Sequence, residues 1–175
     1  MTHVERGLYR ALKSSAGEQF FWSGSKHAAP RPFTLWLEPI ITVAALGRLH
    51  WDHYWPIDLI GTQSSDWAFD LVAYRRGSMN EYIAGEVKKS EIELERLIDL
   101  MKRLGRSPDA PVPKAGRERN AYKKVEALRS RKSPIFWAVG PAGYNHVFSV
   151  AYGADSIVEL IPAGVEELKF KTNTA

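Results

Sequence analysis

A mixed α/β (α+β) single domain, with a central mixed β-sheet flanked by helices, is predicted by three features of the sequence. Two runs rich in aliphatic and aromatic residues, DWAFDLVAYRR and EYIAGEVKK, stand on either side of the turn-like GSMN, the pattern of a β-hairpin. Directly after them, Leu94, Leu97, Ile98, Met101 and Leu104 recur at helical spacing, marking one buried helix face. Two more strand-like runs, PIFWAVG and YNHVFSVAYG, follow around a Gly-Pro-Ala-Gly turn. Strands, then helices, then strands again call for a sheet with helices covering it.

Taken in order, residues 1–30 read as an N-terminal extension and residues 31–175 as the domain. The extension holds a short helical pattern, Val4–Leu12, and a polar loop ending at Pro30. Leu35, Ile40, Val43, Leu46 and Leu49 then predict a buried helix that starts or kinks near Pro39. IDLIG, after Pro56, reads as a first strand, and the hairpin supplies the next two. Ser90 and Glu93 have the spacing of a capping box at the start of the following helix. SPDAPVP is a proline-broken loop, NAYKKVEALRSRK a second and basic helix, and IVELIPAGVEELKF a last strand with a short helix.

Composition narrows the classes. The chain has 175 residues, 45% hydrophobic and 25% charged, and no cysteine. That excludes disulfides, thiolate-ligated zinc or iron–sulfur centres and cysteine nucleophiles. MTHVERGLYRALKSS lacks the apolar core of a secretory signal, and the apolar run Pro39–Leu46 is too short to span a bilayer. The expectation is a cytoplasmic protein without membrane contact.

Net charge is +4, but it is unevenly spread. Lys102 to Lys132 holds 11 Lys/Arg against Asp109, Glu118 and Glu126, a local net of +8, so the remainder carries −4. A basic third beside an acidic remainder suggests a surface for a polyanion next to an acidic centre. A solvated helix face accounts for the same charge run equally well.

The acidic centre is suggested by Tyr82–Ser90, YIAGEVKKS. Glu86 and Lys88 flank Val87, and a strand sends residues i and i+2 to one face. If the hairpin turn centres on Ser78, opposed residues sum to 156. Asp70 then faces Glu86, Val72 faces Ala84, and Arg75 faces Glu81. Opposed side chains lie about 5 Å apart at Cβ, so Asp70, Glu86 and Lys88 would converge. A turn centred half a residue later would place Asp70 opposite Val87 instead, on the other face. Two opposed carboxylates repel, and a hard divalent cation removes that cost. Magnesium takes one or two carboxylates plus waters and phosphate oxygens, and the Val87 carbonyl offers one more oxygen.

Asp70 followed by LVAY, Glu86-Val87-Lys88 sixteen residues on, and a helix directly after resemble the PD-(D/E)xK nuclease superfamily, which has the restriction-endonuclease-like fold. The resemblance runs from Glu38 to about Tyr152. Phe69 stands where the family's name has its proline. The resemblance implies that Asp70 and Glu86 bind Mg2+, for which Mn2+ substitutes. It also implies that Lys88 positions or polarises the attacking water, and that Glu38, on the first helix, adds a further metal ligand. The expected function is a magnesium-dependent nuclease, an endonuclease by preference, acting on DNA, with RNA also open. Arg117, Arg119, Lys123, Lys124, Arg129 and Arg131 would hold flanking phosphates. A homodimer or a partner protein would supply the second cut that duplex cleavage needs.

The rival expectation is a non-catalytic nucleic-acid-binding or protein-interaction subunit on the same fold. His50-Trp51-Asp52-His53 is a weaker metal candidate without the glutamate of His-Glu-x-x-His, and His146 reads as structural. The tryptophans, Trp36, Trp51, Trp55 and Trp67 among them, sit in apolar surroundings and read as core. Phosphate-cradling and dinucleotide-binding glycine motifs are missing, as is the Gly-x-Ser-x-Gly of hydrolases.

Overall fold

In the computed structural model, residues 1–14, 17–23, 33–64 and 66–171 are described below. The chain begins with strands rather than the helix expected over Val4–Leu12. β1 (Thr2–Glu5) and β2 (Leu8–Arg10) turn back on each other through Gly7, whose φ of 79° suits a residue without Cβ. β3 (Glu18–Gln19) completes a three-stranded sheet. Val4, Leu8 and Leu12 fit a helical spacing, but here the backbone is satisfied by cross-strand pairing of β1 with β2 and of β2 with β3. β4 (Phe21–Ser23) and β5 (Phe33–Leu35) form a separate two-stranded ribbon.

α1 (Leu37–Trp51) carries Pro39 in its first turn, where a missing amide costs nothing. It buries Ile41, Ala45, Leu46 and Leu49. β6 (Ile60–Thr62), β7 (Leu71–Tyr74) and β8 (Glu81–Val87) make an antiparallel meander. α2 (Glu91–Gly105) and α3 (Gly116–Arg131) follow, joined through the proline-rich loop. Ser90 occupies the N-cap of α2 in extended backbone, but its side chain makes no capping hydrogen bond, so the expected capping box is not formed. β9 (Ile135–Val139) then runs parallel to β8, and β10 (Asn145–Tyr152) and β11 (Val158–Ala163) add antiparallel strands. The central sheet has six strands in the order β11-β10-β9-β8-β7-β6. The mixed α/β architecture expected from the sequence is therefore present.

Alternation along the strands divides the core into two layers. Val72, Ala84, Phe136, Ala138, Phe148 and Val150 face α2 and α3, meeting Leu94, Ile98, Met101, Val125 and Leu128. Leu71, Ala73, Ile83, Trp137 and Val139 face the other way, onto α1, Trp55 and Leu168. Each fully buried aliphatic side chain contributes about 1.5–3 kcal/mol by leaving water. Because β8 and β9 are covered on both faces, burial runs almost unbroken along them rather than alternating, and β9 is a continuous apolar run.

The tryptophans are not uniformly core. Trp55 and Trp137 are fully buried, and Trp55 donates to the Leu168 carbonyl at 2.6 Å. Trp36, Trp51 and Trp67 are exposed, against expectation. They lie at a helix start, a helix end and a loop, where no second layer covers them. No described helix is long and apolar enough to cross a membrane.

Candidate active site

The hairpin has the expected register where it matters. Leu71 pairs with Gly85, Val72 with Ala84 and Ala73 with Ile83, all summing to 156. Nearer the turn the ladder slips, so that Tyr74 rather than Arg75 faces Glu81. Tyr82 is the extra residue of that irregularity, and Arg75 stacks 3.9 Å over its ring. The slip lies on the turn side of Ile83 and leaves the far end in phase.

Asp70 stands one step before β7, at that far end. Its amide donates to the Gly85 carbonyl at 3.0 Å, and its Oδ2 accepts the Val87 amide at 2.9 Å. Glu86 lies wholly buried on the face that looks toward α3. Both its oxygens are engaged: Oε1 accepts Lys88 Nζ at 2.5 Å and Oε2 accepts Lys124 Nζ at 2.6 Å. Lys88 Nζ also reaches the Val87 carbonyl at 2.9 Å. One small volume thus holds two carboxylates and two ammonium groups.

The electrostatics follow from that packing. Burial, then the neighbouring Glu86 charge, push the Asp70 carboxyl up to about 7, although Lys124 and Lys88 pull the other way. Burial alone would raise Glu86 too, but the Lys124 and Lys88 ammonium groups hold it below the usual carboxylate range. Burial would lower Lys88, but Glu86 and Asp70 outweigh it and hold its ammonium above the usual lysine range. Glu86 is therefore the ionised member of the pair, and Asp70 is the one that exchanges a proton near neutrality.

A cavity of about 290 Å3 opens beside these groups, lined by Glu38, Glu86, Lys88, Arg96, Arg117 and Lys124. Glu38 reaches it from α1, and its charge acts on Lys88. Lys89, Glu93 and Asn120 also line it.

No family model, curated protein or solved structure matches this chain. The chemistry of the site therefore stands on its own geometry. Among the described residues no three His, Cys, Asp or Glu side chains form a group that could hold a metal ion. The oxygens available are two carboxylates and the Val87 carbonyl, a hard donor set of the kind magnesium accepts when waters complete its shell. The Lys88 ammonium already rests on two of them, Glu86 Oε1 and the Val87 carbonyl. A monovalent cation group thus sits on the oxygens a divalent ion would use.

The six basic residues expected to bind phosphates do not form one face. Arg117 lines the cavity and Lys123 is exposed. Arg119 leans on Tyr122, with a long bond of 3.4 Å to the Pro113 carbonyl. Arg129 is tied to Glu126 and to the Leu104, Gly105 and Ser156 carbonyls. Arg131 is tied to Asp66 and, at 2.8 Å, to both oxygens of Glu81. Lys124 is buried and belongs to the Glu86 cluster. Charge alone could not separate these roles, but periodicity could. Ala121, Lys124, Val125 and Leu128 fall at i, i+3, i+4 and i+7, so Lys124 sits in the apolar stripe of α3. A lysine there has to find a buried partner. Arg96 also went unnoticed in the sequence; only the packing of α2 brings it to the cavity.

His50 Nδ1 meets the Trp55 carbonyl at 2.8 Å and His53 is buried, and His50, Asp52 and His53 do not form a group that could hold a metal ion. His146 Nε2 lies 2.6 Å from Glu95, linking β10 to α2.

Proposed function

We propose that this protein is a magnesium-dependent nuclease of the PD-(D/E)xK superfamily that hydrolyses phosphodiester bonds in DNA. The observation that carries the reading is the meeting of Glu86 and Lys88 at an open cavity, with Asp70 held on the Val87 amide at the same end of the β7–β8 hairpin behind the cavity lining. Asp70 and Glu86 would hold the ion, with the Val87 carbonyl, and Glu38 stands at the cavity wall. Bound there, Mg2+ would act as Lewis acid and lower the pKa of a coordinated water.

The chain's own groups account for the remaining requirements. Lys88, released from Glu86 Oε1, would donate to the attacking water and to the scissile phosphate, stabilising charge that builds up in a partly dry site. Lys89, Arg96 and Arg117 surround the same cavity with no ion-pair partner among the described residues. They would take phosphates on either side of the bond cut, which would give affinity without base readout.

A second reading is a non-catalytic nucleic-acid-binding or protein-interaction subunit. It draws on the fact that both oxygens of Glu86 are already satisfied by lysines. Incubating plasmid, linear and branched DNA with Mg2+, Mn2+ or EDTA, with wild type beside Glu86→Gln, separates the two. Metal-dependent cutting lost in the variant supports the nuclease. Salt-sensitive binding without cutting by the wild type supports the subunit.

A further inference from the structure

The two lysines on Glu86 are not equivalent. Lys88 stands at the cavity edge with a quarter of its side chain exposed (26%). Lys124 is 11% exposed along its side chain and arrives from α3 through the packed core. Its Nζ is fixed by three features: Glu86 Oε2 at 2.6 Å, the Ala68 carbonyl at 2.7 Å and the Phe69 ring at 5.7 Å. Withdrawing Lys124 would leave a buried carboxylate oxygen and a buried carbonyl unpaired, each costly. Withdrawing Lys88 frees Glu86 Oε1 and the Val87 carbonyl as well, but those are the two oxygens an incoming cation would take, and the ammonium itself passes into an open cavity.

Resting on the nuclease reading above, we infer that Lys124 is a fixed internal cation of the site, keeping Glu86 Oε2 in every state. A divalent ion can then take Glu86 only through Oε1, displacing Lys88, and the site holds one metal ion. A carboxylate that spans two ions with one oxygen on each must offer both oxygens, and two-metal sites place their ions about 3.5–4 Å apart. Lys124 occupies the second oxygen and sets a positive charge beside it that repels a second ion. It is a positioning residue, acting through Glu86.

The inference is tested on the intact wild-type chain by 15N NMR of its lysine ammonium groups during a Mg2+ titration, with Lys88→Arg and Lys124→Arg used to assign signals. Mn2+ stoichiometry is measured in parallel by electron paramagnetic resonance. The expected result is one Mn2+ per chain, a Lys88 signal that moves as Mg2+ binds, and a Lys124 signal that stays put and protected from exchange. A Lys124 signal that shifts or loses protection overturns the inference, as do two Mn2+ ions per wild-type chain. In Lys124→Gln, folded by circular dichroism, Mn2+ should bind at least tenfold more tightly or in two equivalents; unchanged affinity and stoichiometry count against the role. Failure of the underlying reading looks different: the wild type then binds no Mn2+ at millimolar concentration and neither lysine signal moves. That result removes both.

Discussion

Asp70 Oδ2 accepts the Val87 amide at 2.9 Å, so the side chain of one strand end clamps the backbone of the next. That bond stabilises the ionised carboxylate, yet burial and the Glu86 charge win and raise the group to about 7. An acid raised in the folded state binds its proton more tightly than in the unfolded chain. From about pH 4 to pH 7 the folded state therefore holds more protons, and stability falls as pH rises through that window. The full effect above pH 7 is at most about 4 kcal/mol, and less for a side chain that keeps some contact with water. Asp70→Asn should be more stable than wild type at pH 8 without metal, and the advantage should vanish near pH 4. Urea denaturation at both values measures it; an Asn variant weaker at pH 8 would contradict the assigned environment.

Metal uptake should carry the same proton. If Mg2+ uses Asp70, binding must expel a proton wherever Asp70 is protonated. Affinity should fall about tenfold for each pH unit below 7, and calorimetry in buffers of different ionisation enthalpy should register a released proton at pH 6 that is absent at pH 8. Asp70→Asn should abolish that release.

Lys88 touches Glu86 Oε1, the Val87 carbonyl and the open cavity. Lys88→Met keeps the stem and deletes the charge. Cleavage should drop by about 10²-fold or more, the scale of one lost charge-stabilising donor, while DNA binding stays within a few-fold. Single-turnover cleavage alongside fluorescence anisotropy checks the split. Cutting at the wild-type rate would sink the role given to Lys88.

The sequence made the site legible through the strand period and the hairpin sum, both properties of regular backbone. Val72 and Ala84 pair as expected, and that phase carries Asp70 to Glu86. The slip at Tyr74 was not legible, because a ladder irregularity depends on how the turn packs rather than on the pattern of apolar residues. Lys124 and Arg131 stand in the sequence as phosphate contacts like their neighbours, since a basic run does not say which side chains point inward. The N-terminal strands were missed because Val4, Leu8 and Leu12 also fit a helical spacing, and only cross-strand pairing decides between the two.

Arg131 is a structural cation. It ties Glu81, which is 4% exposed along its side chain, to Asp66 in the loop before β7. Burial raises the Glu81 carboxyl, while Arg131 pulls it back. Arg131→Ala leaves the buried Glu81 carboxylate without its cation, held by the Tyr74 hydroxyl, and should destabilise the fold by about 3–5 kcal/mol. Arg131→Ala with Glu81→Leu should recover part of that loss. Denaturant melts of the single and double variants test the coupling; an Arg131→Ala change within 1 kcal/mol of wild type would mean that the pair behaves as a surface bridge.

On the nuclease reading, the cations left to meet nucleic acid are those at the cavity, not those along α3 as a whole. Each phosphate neutralised on duplex DNA contributes about 0.9 to the slope of log affinity against log salt. Replacing Lys89, Arg96 and Arg117 together with glutamine should therefore weaken DNA binding and reduce that slope by about 2–3. Arg129→Gln should leave the slope alone, because its guanidinium is spent on Glu126 and on the Leu104, Gly105 and Ser156 carbonyls. Lys123 is exposed on α3 away from the lining of the cavity, so Lys123→Gln reads the background effect of one solvated charge. Anisotropy titrations from about 50 to 200 mM salt give all three slopes. A slope that falls for Arg129→Gln or Lys123→Gln as much as for the triple variant would move the DNA path from the cavity to the helix face.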